Sequence, residues 1–420
     1  MAGTSAAKAT GAKTAGGKAA GGKGATAKAT APKAGATLDV AGLLEDPGTR
    51  IVVCCGSGGV GKTTTAAALG LWAAERGRKV VVLTIDPARR LAQSLGLSEL
   101  DNTPRPVVGF DAAAGGSLDA MMLDMKRTFD EVVEQHATPE KAAQILANPF
   151  YQAVSSSFAG TQEYMAMEKL GQLRAEADRD GRWDLVIVDT PPSRSALDFL
   201  DAPKRLGSFL DGRFIRLLAA PAKAGGRAGL KVFSVGVNVV TSTMSKLLGG
   251  ELLRDVQTFV AALDTMFGGF RERADQTYAL LGRPETAFVV VATPERDALR
   301  EASFFAGRLD EEGMPLAGVV VNRVQRVGAP SLSASRALAA AEQLGDLEEA
   351  GASRTGGSAA TTEGLLRLHA VLAETAGRQR RLVERFTAGH PGIPVVEVPA
   401  SSSDIHDLAG LREVGRALTA

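Results

Sequence analysis

The sequence predicts an α/β fold in which a mostly parallel sheet carries helices on both faces. From Leu38 onwards, short apolar runs rich in Val and Ile alternate with longer helical stretches, which is the pattern of a parallel sheet covered on both sides. A glycine-rich loop follows the first of these runs and opens a helix. With 420 residues, of which 45% are hydrophobic, the chain is long enough for one large α/β domain or for two to three average domains.

The strands are predicted at six apolar runs: Ile51–Cys55, Val80–Ile85, Leu185–Val188, Phe288–Ala292, Ala317–Val321 and Pro394–Val398. Leu118–Leu123 is a further candidate, at an edge of the sheet. The segment Ala350–Thr362 is rich in Gly, Ser, Thr and Ala, which predicts a mobile loop, and a helix is expected near Leu365–Phe386. Residues 38–420 are interpreted as one domain, with helical material inserted at about 125–180 and 200–285.

Residues 1–37 differ in composition from the rest and, beyond Met1, are built almost wholly of Ala, Gly, Thr and Lys. Their six lysines recur every five residues, so a helix would scatter them around its axis, and no large apolar side chain is available for a core. We therefore predict a disordered basic tail. This tail either contacts an anionic surface, such as a membrane or nucleic acid, or has no specific partner.

Three features bear on the cellular location. No uncharged apolar run reaches the roughly 18–20 residues needed to cross a bilayer, and no apolar segment of a secretory signal follows the first lysines. The two cysteines, Cys54 and Cys55, are adjacent, which argues against a disulfide framework and against a four-ligand zinc site. We expect a cytoplasmic protein, with peripheral membrane association as an extension of that prediction.

The strongest chemical signal is a phosphate-binding loop that fits the pattern G-x-x-x-x-G-K-[ST]. Its glycines let backbone N–H groups surround phosphates, and the N-terminus of the following helix adds a favourable dipole. Lys62 is predicted to reach the β- and γ-phosphates of a nucleotide, and the hydroxyl of Thr63 to ligate Mg²⁺. The predicted nucleotide-binding residues of this segment are Gly56, Ser57, Gly58, Gly59, Val60, Gly61, Lys62, Thr63 and Thr64.

Two aspartates, Asp86 and Asp189, follow the predicted strands Val80–Ile85 and Leu185–Val188. Ligands of open α/β sheets bind at the carboxyl ends of the strands, so both carboxylates are expected to face the phosphates. One such group can hold the attacking water in line, and another can bind Mg²⁺ through water. Each aspartate alone is equally typical of a turn, but together with the loop they indicate a hydrolytic site.

These motifs resemble those of the ArsA family, which contains arsenite-pump ATPases and targeting ATPases for tail-anchored membrane proteins within the deviant Walker A class. The resemblance extends from about Leu38 to the C-terminus and rests on three motifs: Gly56–Thr63, Leu83-Thr84-Ile85-Asp86-Pro87-Ala88, and Asp189-Thr190-Pro191-Pro192-Ser193 with Leu197-Asp198-Phe199-Leu200. It implies a P-loop NTPase sheet, ATP and Mg²⁺ as cofactors, and a dimer with nucleotide at its interface.

The resemblance also implies roles for individual residues. Asp86 lies in switch I and activates the water, while Lys62 neutralises charge as the second catalytic residue. Asp189 begins switch II and serves the metal through water. Asn322, in the run Val319-Val320-Val321-Asn322-Arg323, and Pro399, after the last strand, are expected to contact adenine.

The chain departs from the family at the second loop position, where members usually carry a lysine that reaches the partner's phosphates and this chain has Ser57. Arg89, Arg90 and Arg194 follow the two switch aspartates, where members have small or neutral residues. A transition-state cation is worth roughly 10³–10⁵ in rate, and we expect it from a switch arginine or from a partner subunit. The alternative is that these arginines are solvated surface charges.

The predicted substrate depends on the cysteines and on the helical inserts. Arsenite sites in the family use several thiolates, whereas Cys54 and Cys55 are consecutive on a strand and point to opposite faces, so arsenite is not the expected substrate. The inserts contain Met165, Met167, Met244 and Met266, the uncharged stretch Val232–Ser245, and the apolar stripe Leu248, Leu252, Val256, Phe259 and Leu263. The family implies a groove for a hydrophobic client or a membrane protein, although the same residues are equally typical of a core.

The chain is therefore interpreted as an ATP-hydrolysing dimeric switch, in which hydrolysis drives a conformational change in the helical subdomain. The partner is expected to be a second copy or a related ATPase that carries the loop lysine. Two alternatives stay open. One is a non-catalytic, nucleotide-binding regulatory subunit of a heteromeric ATPase, which Ser57 suggests. The other is a ParA/MinD-like positioning ATPase whose basic tail binds DNA.

Overall fold

A computed structural model describes residues 36–86, 90–111, 115–149, 151–152, 155, 161–191, 272–349 and 356–420 of the chain. The helical insert predicted at 200–285 is therefore described only from residue 272. The stretch Val232–Ser245, the stripe from Leu248 to Leu263, and Met244 and Met266 lie outside the described residues.

The described strands form a single sheet in the order β3-β4-β2-β5-β1-β6-β7-β8. All neighbouring strands are parallel except the pair β3 and β4, which is antiparallel. The strands are β1 (Ile51–Cys55), β2 (Lys79–Thr84), β3 (Arg105–Pro106), β4 (Ser117–Met122), β5 (Leu185–Asp189), β6 (Thr286–Ala292), β7 (Leu316–Val324) and β8 (Val395–Pro399).

Helices connect these strands and cover both faces of the sheet. In chain order they are α1 (Val40–Glu45), α2 (Lys62–Glu75), α3 (Arg90–Ser94), α4 (Met125–His136), α5 (Pro139–Leu146), α6 (Thr161–Asp180), α7 (272–281), α8 (Arg296–Glu311), α9 (Ala334–Glu349), α10 (Gly356–Gly389) and α11 (Leu408–Leu418). In the parts of the chain that the structure describes, no helix is both long and apolar enough to span a membrane.

The buried side chains divide into two apolar cores, one on each face of the sheet. Side chains of successive strand residues point to opposite faces, so Val52 and Cys54 of β1 enter one core, and Val53 and Cys55 enter the other. Helices α1, α2, α3 and α11 cover the first face. Helices α4 to α8 and the C-terminal part of α10 cover the second. The predicted α/β fold, with a mostly parallel sheet between two helical layers, is confirmed.

Each predicted strand end lies within three residues of the observed one. Two other predictions, of an edge strand and of a loop, are corrected. The candidate edge strand Leu118–Leu123 is found as β4, which is not the edge, because the two-residue strand β3 pairs with its outer side. The predicted loop Ala350–Thr362 is wrong from residue 356 onwards, where α10 has already begun. Contacts between α10 and α9 outweigh the low helix propensity of a Gly- and Ser-rich start.

The chain joins the sheet slightly before the boundary that composition predicts. The N–H of Val395 donates to the carbonyl of Ala36 at 3.1 Å, and Thr37 forms a parallel bridge with the same strand residue. Leu38 is buried in the core of the first face. Residues 36 and 37 thus already pair with the sheet, two residues before the predicted start of the domain at Leu38.

Candidate active site

The glycine-rich loop joins the end of β1 to the start of α2, and two of its glycines are required by the backbone. Gly56 has φ +146°, and a Cβ there would lie 2.1 Å from the carbonyl oxygen of Val291 in β6. Gly61, the residue before α2, has φ +96°, and its Cβ would lie 2.3 Å from the side-chain amide nitrogen of Asn322. Only glycine fits both positions, so neighbouring strands fix the path of the loop.

Lys62 is buried at the first position of α2, with its ammonium folded back over the loop. Its Nζ donates to the carbonyl oxygen of Ser57 at 2.9 Å. Burial lowers the pKa of Lys62, while the nearby carboxylates of Asp189 and Asp86 act in the opposite direction. The loop thus holds a cation where the backbone N–H groups of a helix N-terminus converge, which is the chemistry that a polyphosphate requires.

Thr63 and Asp189, the two residues predicted to serve Mg²⁺, are in direct contact. The Thr63 hydroxyl donates to Oδ2 of Asp189 at 2.7 Å, and the hydroxyl of Thr84 donates to the same oxygen at 2.8 Å. Thr84 and Asp189 are register partners on the adjacent strands β2 and β5. The first turn of α2 and the ends of two strands therefore meet at one carboxylate.

The second oxygen of Asp189, Oδ1, is buried and has no hydrogen-bond partner among the described residues. Burial raises the pKa of Asp189 to about 6, although the bonds from Thr63 and Thr84 and the charge of Lys62 oppose this rise. A buried carboxylate oxygen without a donor is costly unless a cation or an ordered water approaches it. A carboxylate beside a threonine hydroxyl fits Mg²⁺, which prefers few protein ligands and keeps several waters.

Asp86 lies at the same edge of the sheet, two residues beyond the end of β2. Its backbone N–H contacts the Thr84 hydroxyl at 3.2 Å, so Thr84 joins Asp86 to Asp189. The charge of Asp86 adds to the rise in the pKa of Asp189 and opposes the lowering of the pKa of Lys62 by burial, so its carboxylate lies near both groups. The structure therefore brings the two predicted carboxylates and the loop lysine together.

Asn322 and Pro399, the predicted adenine contacts, lie at the same edge on the far side of β6. The Asn322 amide donates to the carbonyl of Val60 at 2.9 Å, and its oxygen accepts from the N–H of Arg323, a residue with φ +60°. Pro399 ends β8 opposite Val324 of β7. The structure thus gives Asn322 a direct role in holding the loop, and contact of either residue with adenine stays a prediction.

The residues that depart from the family pattern are only partly described. Ser57 is half-buried, while the neighbouring Gly58 and Gly59 are exposed, so this side of the loop faces outwards. Arg89 and Arg194 lie outside the described residues, as does the side chain of Arg90 at the start of α3. The source of a transition-state cation therefore stays a prediction.

The two cysteines are buried on opposite faces of the sheet, as predicted, since Cys54 and Cys55 belong to different cores. Burial raises the pKa of the Cys54 thiol well above its usual value, and it raises that of Cys55 to about 12. Such thiols are protonated near neutral pH and are poor ligands for a soft ion. No group of three or more His, Cys, Asp or Glu in the described ranges is placed to hold a metal ion.

Thr84 and Thr190 belong to the motifs quoted from the sequence, but sequence reasoning gave neither of them a role in the site. The Thr190 hydroxyl donates to the carbonyl of Cys54 at 2.9 Å, which ties the segment after β5 to the strand before the loop. Thr84 stands two residues before Asp86 at the end of a buried strand. A polar residue at the end of an otherwise apolar strand was the signal that could have pointed to Thr84, because strand side chains alternate between the two faces of the sheet.

The methionines of the first helical insert have a core role. Met165 and Met167 lie on α6 and are fully buried against the second face of the sheet. Of the two interpretations that the sequence left open for these methionines, the core one is therefore confirmed for Met165 and Met167.

Comparison with known proteins places these motifs in a wider context. The sequence profile of a family described as anion-transporting ATPase matches residues 49–327, a range that includes the loop, both aspartates and Asn322. Protein Rv2184c of Mycobacterium tuberculosis is 26% identical over 67% of this chain and 61% of its own length. ATPase GET3 of Malassezia globosa is 29% identical over 39% of this chain and 45% of its own length.

An arsenical pump-driving ATPase of Acidiphilium multivorum is 29% identical over 37% of this chain and 26% of its own length. The chain thus spans between about a quarter and three fifths of the length of these relatives.

Proposed function

The chain belongs to the anion-transporting ATPase family, and from this premise we propose that it binds Mg·ATP at the loop Gly56–Thr63 and hydrolyses the β–γ phosphoanhydride bond. The observation that carries the proposal is the contact of Thr63 with Asp189, whose second carboxylate oxygen is buried without a donor among the described residues. A metal ion beside a triphosphate would stabilise this arrangement.

In the proposed reaction, the chain's own residues bind the phosphates, orient the attacking water and neutralise negative charge. The loop N–H groups and the N-terminus of α2 hold the phosphates, and Lys62 exchanges its bond with the Ser57 carbonyl for the β- and γ-phosphates. Mg²⁺ would be held by Thr63 directly and by Asp189 through water, and it would supply charge neutralisation at the phosphate oxygens. Asp86 accepts a hydrogen bond from the attacking water and orients it, giving ADP and inorganic phosphate.

The energy of hydrolysis is proposed to drive a switch through the segment that follows Asp189. Thr63, Thr84 and Thr190 connect that segment to the loop, to β2 and to β1, so a change at the phosphates would be transmitted to its starting point. The output would be a change in the helical material that follows, with a dimer as the working unit and a hydrophobic protein segment as the client. The relative named arsenical pump-driving ATPase supports a transport role, and the family resemblance described from the sequence motifs supports a targeting role.

Ser57 favours a second candidate function, a nucleotide-binding regulatory subunit that hydrolyses little ATP. A symmetric dimer would lack the loop lysine that family members present to the partner's nucleotide. In that case the chain would pair with a related ATPase that carries the lysine.

A phosphate-release assay on the purified protein with Mg·ATP tests the proposal and separates these candidates. Asp86→Asn should keep nucleotide binding and lose at least about 100-fold in turnover, because the loop is intact but the water is no longer oriented. Asp297→Asn, a change of an exposed aspartate on α8, should leave turnover unchanged. Turnover of Asp86→Asn at the parent rate would refute the catalytic assignment. Nucleotide binding without turnover in the parent would favour the regulatory subunit.

A further inference from the structure

A cleft of about 310 Å³ lies between α2 and α11, on the first face of the sheet. Trp72, Glu75 and Arg76 line it from the C-terminal end of α2, and Arg412 and Arg416 line it from α11. The tryptophan follows Lys62 by ten residues on the same helix, a rise of about 15 Å, so the cleft is distinct from the candidate active site. Its volume is that of a small-molecule site.

Positive charge exceeds negative charge around this cleft. Its lining carries three guanidinium groups and the carboxylate of Glu75, which lies 2.6 Å from Nε of Arg412. Glu45 lies 3.9 Å from Arg76, and the net charge of these five side chains is still positive. The side chains of Arg76 and Arg412 are 44% and 35% exposed, so a ligand can reach both from solvent. The cleft therefore favours an anion.

The arginines keep hydrogen-bond donors for such a ligand. Arg76 donates to the carbonyl oxygen of Trp72 at 3.3 Å, and Arg416 donates to that of Arg412 at 3.4 Å. A guanidinium group carries five N–H donors, so each of these bonds uses only one of them. Charge alone does not identify a site, however, because arginines are common near the C-terminal ends of helices, where they interact favourably with the helix dipole.

The indole group of Trp72 supplies a second, independent observation. The residue is 6% exposed, and its Nε1 is buried without a hydrogen-bond partner among the described residues. A Cβ at Gly415 would lie 3.5 Å from Cδ1 of the ring, so the edge that carries the N–H lies beside α11. A buried N–H without an acceptor is costly, and buried indoles usually find one. The helix dipole does not account for this donor, whereas an anion in the cleft would.

We propose that this cleft binds a small molecule through its phosphate group. A phosphate presents at least three acceptor oxygens in a tetrahedral arrangement, which donors from two helices can share. The two oxygens of a carboxylate lie in one plane and suit a single guanidinium fork. The rest of the ligand would lie against Trp72 and the aliphatic stems of the arginines. Such binding needs neither ATP nor a second subunit, so it goes beyond the proposed ATPase function.

The position of Arg76 gives the site a spectroscopic signal. Its guanidinium lies over the Trp72 ring, 3.6 Å from the ring centroid. Because Nε1 is buried, we expect this guanidinium to shift when a phosphate oxygen approaches the N–H, which would change the fluorescence of Trp72. Trp183, the other tryptophan of the sequence, belongs to the core of the second face. A phosphate-dependent signal that disappears when the cleft is altered therefore belongs to Trp72.

Titration of inorganic phosphate and of glycerol 3-phosphate, at constant ionic strength, tests the site by calorimetry and by fluorescence. The background is the full chain with Lys62→Ala, so that phosphate bound at the loop contributes little. Adding Arg416→Gln should weaken binding by about tenfold, because it removes a charged donor. Adding Arg385→Gln, at an exposed residue of α10, should leave binding unchanged. Tighter binding of glycerol 3-phosphate would support an organic phosphate as the ligand, and equal affinities would support free phosphate.

A gain-of-affinity variant separates ligand contact from a structural role. Glu75→Gln in the same background should bind phosphate severalfold more tightly, since it removes a carboxylate from the lining and releases the guanidinium of Arg412. A damaged fold would not produce tighter binding. Absence of binding by either compound, or equal binding by the background, Arg416→Gln and Glu75→Gln, would overturn the proposal. Mg·ATP binding to Arg416→Gln alone is measured separately, so a failure of this site is distinguishable from a failure of the nucleotide site.

Discussion

The hydroxyl of Thr63 donates to Oδ2 of Asp189 across 2.7 Å, although 126 residues separate the two along the chain. Thr63 lies in the first turn of α2, and Asp189 is the last residue of β5. The contact joins the phosphate loop to the start of the segment proposed as the second switch. It also leaves one oxygen of a buried carboxylate without a donor among the described residues.

Replacing that carboxylate should change how stability depends on pH. Burial raises the pKa of Asp189 to about 6, above the value of about 3.9 for an unfolded chain, so the folded protein binds the proton more tightly. The stability that this group contributes at low pH is therefore lost as the pH rises through about 6. In chemical denaturation without Mg²⁺, we expect the free energy of unfolding of the parent to fall relative to that of Asp189→Asn. The expected fall is about 2 kcal/mol between pH of about 4.5 and about 7.5.

The same variant provides a test of the metal site. Asp189→Asn should gain less thermal stability from Mg·ADP than the parent, because it loses the carboxylate that would hold the ion through water. Asp297→Asn serves as the control. A parallel pH dependence of the parent and Asp189→Asn would contradict the raised pKa, and equal stabilisation by Mg·ADP would contradict the metal assignment.

Neither thiol should react in the native protein. Burial raises the pKa of Cys54 and of Cys55, so both stay protonated at pH of about 8 and are shielded from reagent. A disulfide reagent should label no thiol in the folded state and two after denaturation, and raising the pH to about 9 should not change the native result. Fast labelling of either cysteine in the folded protein would contradict the core assignment and would reopen arsenite as a ligand.

Removing residues 1–35 should leave the fold and the basal ATPase activity unchanged, because the sequence predicts that this segment supplies no core residue. Any binding to vesicles rich in phosphatidylserine, or to DNA, should fall, and the binding of the full chain should be salt-sensitive. Removal of residues 1–38 is the matched comparison. It also takes away the pairing of Ala36 and Thr37 with β8 and the buried Leu38, so it should lower the melting temperature by a few degrees. A similar loss on removal of 1–35 would show that the tail packs on the domain.

The sequence predicts the strands and the loop well because local patterns determine them. Continuous Val and Ile runs are typical of strands that are buried on both faces, and the glycine spacing of Gly56–Thr63 is itself the motif. The contact of Thr84 with Asp189 was not predictable in this way. It depends on the register between β2 and β5, which pairs residues 105 positions apart.

Two other features depend on tertiary context. Asn322 contacts the loop because β7 lies two strands away from β1, an arrangement that no local pattern encodes. The Gly- and Ser-rich start of α10 is helical in spite of its composition, because α10 packs along α9. The local sequence does not reveal that packing partner.

Ser57→Lys should confer an ATP-dependent component on self-association and should raise turnover by roughly tenfold or more. Closing two triphosphates against each other without cations from the facing loops is electrostatically unfavourable, so in the parent ATP should tighten association little. Ser57→Gln, which adds length without charge, should behave like the parent. Sedimentation with and without ATP, together with steady-state hydrolysis, measures both effects. If ATP already strengthens self-association of the parent strongly, and the parent hydrolyses ATP as fast as Ser57→Lys, the loop lysine is dispensable. Arg89, Arg90 and Arg194 then become the candidates for the cation.

The central claim is that the loop around Lys62 binds the phosphates of ATP, and calorimetric titration of Mg·ATP into the parent and Lys62→Ala tests it most directly. Loss of a charged donor to the phosphates should weaken binding by about 10- to 100-fold. Lys79→Ala, a change of an exposed lysine at the start of β2, should bind like the parent. Binding of Mg·ATP to Lys62→Ala as tight as that of the parent would contradict the site.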